Sequence, residues 1–566
     1  MKLRHFLSAV ALTAIIPMCL SCSGVKNDKM LYQRRIIPYS LCELTTDVAI
    51  NDTMTSVSSQ TKYSYIDESS IKSTVNLADK GLVADSKDNA QNNALIINKA
   101  IKEASDFTKI TFPKGTFYID SYIVLQNKSN LILQGDETLL INTAYAPLTE
   151  LTVEFYPKST FFKIDSCRDI TVKGFTLDYL SHSTIDGKIE KVGGGKTVFK
   201  AYSEFTGGDK NPIKGNELVF SALVADENVF YNEAWLPEGT SVTKESGTRL
   251  YSIPTEIGKE GDRICCRISC GTYASPAIYV TYTRGFVLND ITCHSCPSAF
   301  IYAPYGNCDF DISGLDVSVE ESSKRLLSSN EDILHIKQMS GVLRLADSKF
   351  CGLGDDVLNV HSKLAKLEGI SDNTATIIFP DAGSNVAELF FLPDEYAEFF
   401  DGTGKSLGTS KILGVSGDVA TFEAIPENVT DGCFVMNVSC LPDTLVDNCD
   451  ISFGRARGVL LQTKNAVVQN CTFSNMRLSG VLACPDFENW YEAGFCDNLL
   501  IRNNVFDNCA SLNNGFGAVH ISTSHDNPWK NDEGIYHKNV SVIENSFKNC
   551  KSQYIKYAGV GNFKKQ

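Results

Sequence analysis

Val446-Asp-Asn-Cys-Asp-Ile451 and Val468-Gln-Asn-Cys-Thr-Phe473 are one pattern written twice, 22 residues apart. An aliphatic residue opens each copy, an Asn turns the chain, and an Ile or Phe points back inward. Ile501-Arg-Asn-Asn-Val-Phe506 and Val542-Ile-Glu-Asn-Ser-Phe547 repeat it after steps of 33 and 41 residues, which leaves room for loops between repeats. Asn is among the few residues that tolerate a left-handed turn, and short β-rich runs punctuated by such turns read as strands. Strand-turn units of about 20–25 residues cannot bury an apolar face alone, so they stack as coils of a solenoid. Earlier copies are looser, as in Ile170-Thr-Val-Lys-Gly-Phe-Thr-Leu177 and Phe286-Val-Leu-Asn-Asp-Ile291.

Toward the N-terminus, Ala90, Ala94, Ile97 and Ile101 recur at helical spacing and predict a short amphipathic helix that caps the open end of the stack. Ile110-Thr-Phe-Pro-Lys-Gly-Thr-Phe-Tyr-Ile119 and the runs after it are short strands. A helix, then Phe-Pro-x-Gly-x-Phe, then rungs resembles the start of pectate-lyase-like proteins. The fold class expected is all-β, a right-handed parallel β-helix. Residues 182–265 and 362–440 lack the Asn-turn pattern and read as longer strands, each long enough for an inserted β-barrel-like domain. The helix then occupies 76–181, 266–361 and 441–566.

Residues 1–21 read as a leader: Lys2, Arg4 and His5 precede an apolar run too short to span a membrane. It closes as Leu20-Ser-Cys22, which resembles a bacterial lipobox. The resemblance implies lipidation of Cys22, a lipid-anchored linker over 22–75, and a place on the cell or outer membrane, facing the periplasm or cell surface. Fifty-two basic against 67 acidic residues give a net charge of −15 with no basic cluster. That excludes nucleic acid as the natural partner and favours a neutral or cationic ligand over a polyanion. The remaining cysteines, many in Asn-Cys repeat positions, read as small buried thiols, although some pairing stays open outside the cytoplasm. No Cys or His spacing calls for a metal, and no cofactor is implied. Oligomeric state is not written in any pattern.

The chemistry gathers around Gly354-Asp-Asp-Val-Leu-Asn-Val-His361. Asp355 and Asp356 are adjacent, and Asp332 precedes Asp355 by 23 residues, about one coil. Stacked coils lie about 4.8 Å apart, so the three carboxylates crowd one patch and repulsion raises at least one pKa. Paired carboxylates are the equipment of glycoside hydrolysis. Gly354 is expected to open a corner at which both aspartates reach a groove.

The whole mature chain resembles glycoside hydrolase family 110, the bacterial α-1,3-galactosidases. The likeness rests on Gly354–His361, on Asp332-Ile-Leu-His335, on Arg455-Ala-Arg-Gly-Val-Leu460 and on Phe487-Glu-Asn-Trp-Tyr-Glu-Ala-Gly494. It departs from the family's pattern at Tyr491 and Ala493. The resemblance implies an exo-acting, inverting galactosidase that acts on terminal α-galactosyl oligosaccharides, of blood-group-B or linear type. By likeness to polygalacturonases, which arrange three aspartates similarly on this fold, Asp355 would be the general acid, and Asp332 and Asp356 would hold and deprotonate water, although the sequence itself does not order the three. Trp490 offers a flat face to galactose; Glu492, Arg457, His335 and His361 could bond its hydroxyls. Two alternatives stay open. A polygalacturonase would need Lys or Arg for uronate, and no Arg-x-Lys follows the aspartates; a glycan-binding β-helix without catalysis would have no use for three carboxylates.

Overall fold

The computed structural model describes residues 66–144, 159–181, 183–202, 218–227, 229–268, 276–307, 309–380, 386–512, 515–523, 536–551 and 554–565. The leader, Cys22 and most of the linker lie outside the described residues. Among the described residues no helix is long and apolar enough to cross a membrane.

Three parallel sheets wind around one core. The first runs from Ser73–Asn76 through Thr108–Phe112, the two long strands Ser129–Asn142 and Arg168–Tyr179, and on to Val560–Lys565. The second shares those two long strands and continues through Lys349–Leu353, Asp450–Gly454 and Thr472–Met476 to Ser546–Lys548. The third stacks Ile278–Thr281, Ile301–Asn307, Leu334–Lys337, the start of Leu358–Ser371, and Val459–Leu461. In the third sheet Leu334 pairs with Leu358 and His335 with Asn359, so one coil at this level is 24 residues. The helix Ala90–Glu103 lays Ala94, Ile97 and Ile101 on the first coils, and the core runs unbroken from there to Ile555.

The Asn turns work as the repeat suggests at three of its four copies. Asn448, Asn470 and Asn503, with Asn508 and Asn549 of the Asn-Cys pairs, all have φ between 51° and 56°, whereas in Val542–Phe547 the turn falls on Glu544, φ 58°. The Asn side-chain amides also tie coil to coil: Asn470 donates to Asp447 at 2.7 Å, and Asn503 to Asn470 at 2.7 Å. A second ladder runs from Asp443 through Asn465, Asn498 and Asn539 to Asn562, with links of 2.7–3.3 Å. On the second sheet, just past the first ladder, Phe473, Phe506 and Phe547 stack with centroids 5.0 and 5.1 Å apart. The cysteines that follow the Asn turns face inward; Cys471, for example, donates to the Gln469 carbonyl at 3.0 Å. No disulfide forms among the described residues.

Two antiparallel units interrupt the winding, one on each side of the third sheet. The first, seven strands from Thr184–Val192 to Arg263–Ile268, leaves between the second and third sheets. It curls around its own core, and a bridge between Leu218 and Ser241 draws its ends together. The second leaves after the third-sheet strand. Its six strands pair in a ring, in which Leu358–Ser371 meets both Thr374–Ile378 and Phe434–Asn437, so this barrel is closed. Leu358–Ser371 belongs to both the solenoid and the barrel, which ties the barrel rigidly to the sheet.

Replacing Asn498 with Ala removes the acceptor of Asn539 and the donor to Asn465 in a buried ladder. The expected cost is about 1–3 kcal/mol, read as a lower thermal unfolding midpoint. An unchanged midpoint would show that the ladder carries no stability.

Candidate active site

The corner between the second and third sheets stacks chemistry on successive coils. Asp332 occupies it on one coil, Asp355 and Asp356 on the next, Arg455 and Arg457 on the third, and Arg477 on the fourth. The coils are locked by backbone bonds: Ile333 N–H to Asp356 carbonyl at 2.8 Å, and Val357 N–H to Gly458 carbonyl at 2.9 Å. Gly354 does not serve as a flexible corner here. A Cβ on it would stand 2.3 Å from the Ser329 carbonyl oxygen, so glycine is needed for the close approach of two coils. Nor do both adjacent aspartates reach the groove. The Asp355 side chain is 22 % exposed and that of Asp356 only 1 %, since the bend between the two strands turns one outward and the other inward.

The three carboxylates each bring an oxygen to within 4.8 Å of the others. Both oxygens of Asp332 are engaged: one accepts from the Asp356 N–H at 3.0 Å, the other from His335 Nδ1 at 2.7 Å. Asp356 accepts from the Arg457 N–H at 2.9 Å and from the Arg457 guanidinium at 2.5 Å. Asp355 meets only the edge of Arg455, at 3.6 Å. Burial pushes Asp356 up to about 7 against the pull of Arg457, and the neighbouring Asp355 and Asp332 charges add to the rise. Burial also pushes on Asp355, but Arg455 and Arg457 outweigh it and hold that carboxyl below the usual range. So crowded a cluster titrates as a unit and keeps a proton at a pH where isolated carboxylates have lost theirs.

His335 and His361 continue the chain away from the aspartates. His361 Nδ1 lies 2.8 Å from the Ser362 carbonyl, and His335 Nδ1 lies 2.7 Å from the Asp332 carboxylate. The two Nε2 atoms lie 3.0 Å apart, with a Glu492 oxygen 3.5 Å from His361. Burial pushes His335 down to about 4 and His361 well below its usual value. His361 is 1 % exposed, so it backs His335 rather than facing a ligand itself. These two imidazoles and Glu492 have the donor types and convergence to hold a cation, as do the three aspartates. Arg457, like His361, is committed inside the protein, to Asp356.

Trp490 and Glu492 sit on a loop that the second barrel holds in place. Ser362 and Lys363 pair with Ala493 and Glu492, the buried Lys363 ammonium donates to the Trp490 carbonyl, and Phe487 packs on Phe434 with centroids 5.3 Å apart. Gly494 lets this loop touch the solenoid, since a Cβ there would lie 1.8 Å from the Gln462 carbonyl oxygen. The Trp490 ring is left 62 % exposed.

The first insertion supplies residues that no repeat signals. Glu233 bonds Arg477 at 2.8 Å and lies 3.5 Å from Arg455, while Arg267 reaches Glu331 at 3.8 Å and donates to the Asn330 carbonyl. Glu331 is a fourth buried carboxyl beside the cluster, pushed up to about 8 by burial. Only its position next to Asp332 in the sequence hints at it.

Fold and site together define a parallel β-helix with an arginine-clamped carboxylate cluster at one corner, beside the third sheet from whose two edges the β insertions leave. Residues 414–564 match a family described as right-handed β-helix region. The likeness to α-1,3-galactosidases extends along most of the chain. It is 24 % identical to α-1,3-galactosidase B of Bacteroides thetaiotaomicron over 84 % of this chain and 82 % of the relative. It is 22 % identical to α-1,3-galactosidase A of Bacteroides fragilis over 70 % and 68 %. Among solved structures it is similar to the polygalacturonase from Erwinia carotovora, with a TM-score of 0.36 and 10 % identity, covering 87 % of this chain and 94 % of that one.

The raised pKa of Glu331 has a consequence for stability. The folded protein holds a proton there that the unfolded chain, with its ordinary 4.5, gives up. This contribution is full below about 4.5 and is lost as pH rises through about 8. Replacing Glu331 with Gln should flatten that decline, so that the gap between the two proteins' denaturation midpoints narrows or reverses as pH rises. Parallel curves would contradict it.

Proposed function

We propose that this chain is an exo-acting, inverting α-galactosidase that removes terminal α-1,3-linked galactose from neutral oligosaccharides, of blood-group-B or linear type. The observation that carries the reading is the unequal reach of the three carboxylates. Asp355 alone opens to the groove, in front of Asp332 and Asp356, whose oxygens are already held by donors. A retaining mechanism needs two carboxylates in contact with the sugar, one of them free to attack the anomeric carbon. Here the inner two are positioned instead to hold a water by their remaining lone pairs and draw its proton. Asp355, which Arg455 and Arg457 keep ionised, meets the leaving oxygen and relays to it the proton that Asp356 retains, and Asp356 is thereby left ionised to take a proton from the water. The sugar's ring departs with water added from the opposite face, which inverts the anomeric centre.

The substrate class is supported by the similarity to α-1,3-galactosidases over most of the chain, and the chain is accordingly an enzyme of the glycoside hydrolase kind. The charges at the site support a neutral sugar. Arg457 is taken by Asp356, Arg455 lies between Asp355 and Glu233, and Lys363 is taken by the Trp490 carbonyl, so the cations that a uronate would need are already engaged. Trp490 supplies the flat apolar face for galactose, Glu492 supplies an acceptor for its hydroxyls, and His335 stands beside them to bond a hydroxyl in exchange for its contact with His361. The lipobox-like Leu20-Ser-Cys22 supports anchorage at a membrane, where such glycans are met outside the cytoplasm.

Galactose should be released from a terminal α-1,3-galactosyl trisaccharide and no uronate from polygalacturonate. Asp355→Asn, Asp332→Asn and Asp356→Asn should each lower turnover by about 10²–10⁴-fold, and pairs of them should cost little more than one. The melting temperature of Asp355→Asn should stay near that of the wild type. Near-normal turnover by Asp355→Asn would remove its role as acid.

A further inference from the structure

We propose that Trp235, brought to the site by the first insertion, is the platform of an acceptor-sugar subsite, on which the apolar face of the hexose next to the scissile bond stacks. The inference rests on the galactosidase reading and extends it from the departing galactose to the sugar that carries it.

Trp235 ends Phe230–Trp235, the outermost strand of the seven-stranded insertion, and its indole is 60 % exposed. Single exposed apolar residues are ordinary on protein surfaces. This one is unusual in being held rigidly beside reactive groups. The Arg455 guanidinium lies over its ring, 5.6 Å from the centroid, and the Phe220 ring braces it at 6.0 Å. Arg455 is pinned in turn: its Nε is 3.5 Å from a Glu233 oxygen and its Nη2 is 3.6 Å from Asp355. Glu233 is anchored from the other side by Arg477 at 2.8 Å. The indole therefore stands one guanidinium away from the carboxyl that meets the leaving oxygen, on a frame of charged contacts drawn from the insertion and three coils of the solenoid.

The direction is set by what lies on the other side. Trp490, Glu492 and His335 gather toward the second barrel, where they can take the galactose. The leaving oxygen lies at Asp355, so the sugar attached to it must extend past Asp355, toward Arg455 and the first insertion. There it meets an exposed indole beside a mutually neutralising set of Asp355, Glu233, Arg455 and Arg477. Rings with an apolar face and a polar rim are what such a surface takes, and the absence of net charge suits a neutral hexose.

The test compares two substrates of the full-length protein. One is a terminal α-1,3-galactosyl trisaccharide; the other is α-galactosyl fluoride, which has no acceptor sugar. Trp235→Ala should lower kcat/KM on the trisaccharide by about tenfold or more, chiefly through KM. Its turnover of the fluoride should stay within about twofold of the wild type, and Trp235→Phe should recover most of the loss. Equal losses on both substrates, or no loss on the trisaccharide, would overturn the subsite while leaving the galactosidase reading in place. Wild-type protein inert on both substrates would remove the reading and the subsite together.

Discussion

The hydrogen bond from the Asp356 N–H to the Asp332 carboxylate, 3.0 Å long, joins two coils at the one corner where the chain's chemistry is stacked. It forms because the coil at this level is 24 residues and because Gly354 lets the coils touch. Without that contact Asp332 would have neither its backbone donor nor its alignment with His335. The first insertion leaves the same edge of the stack two coils before Asp332, and the second barrel begins on the strand that directly follows Asp356, Leu358–Ser371.

Electrostatics makes the junction both costly and useful. Three carboxylates with oxygens inside 4.8 Å would repel one another strongly in a dry environment. Two arginines from the next coil offset part of that repulsion, and a proton retained by the cluster offsets more. The asymmetry that results is functional. The carboxylates bound by Arg457 and His335 are rigid and inward, while the one that meets only the edge of Arg455 remains open to the groove. Because the inner pair is held in place by donors and turned inward, the arrangement favours holding water over attacking sugar.

Much of this was legible in the sequence because it repeats. The Asn turns announced themselves at Asn448, Asn470, Asn503 and Asn549 because one backbone requirement recurs at each coil, and the spacing of Asp332 from Asp355 carried the carboxylate cluster in the same way. What does not repeat was hidden. Glu233, Trp235 and Arg267 reach the corner from an insertion whose strands have their own register, so nothing in their local pattern points to Asp355. The burial of Asp356 and His361 was likewise unreadable: their motif identifies residue types, whereas which of two neighbours faces inward depends on where the turn ends. Gly354 was recognisable as necessary, but for the approach of the Ser329 carbonyl and not for a hinge.

The central claim is that one open carboxylate works in front of two that hold water. The nearest oxygens of the three lie closer together than the about 6.5–9.5 Å that usually separates acid and base in inverting glycosidases. The claim therefore stands on which carboxylates are accessible, and stereochemistry reads that directly. Proton NMR of the first sugar released from a terminal α-1,3-galactoside, recorded before mutarotation, should show β-galactose. Initial release of α-galactose would mean that a buried aspartate attacks the sugar after all, and would contradict the account.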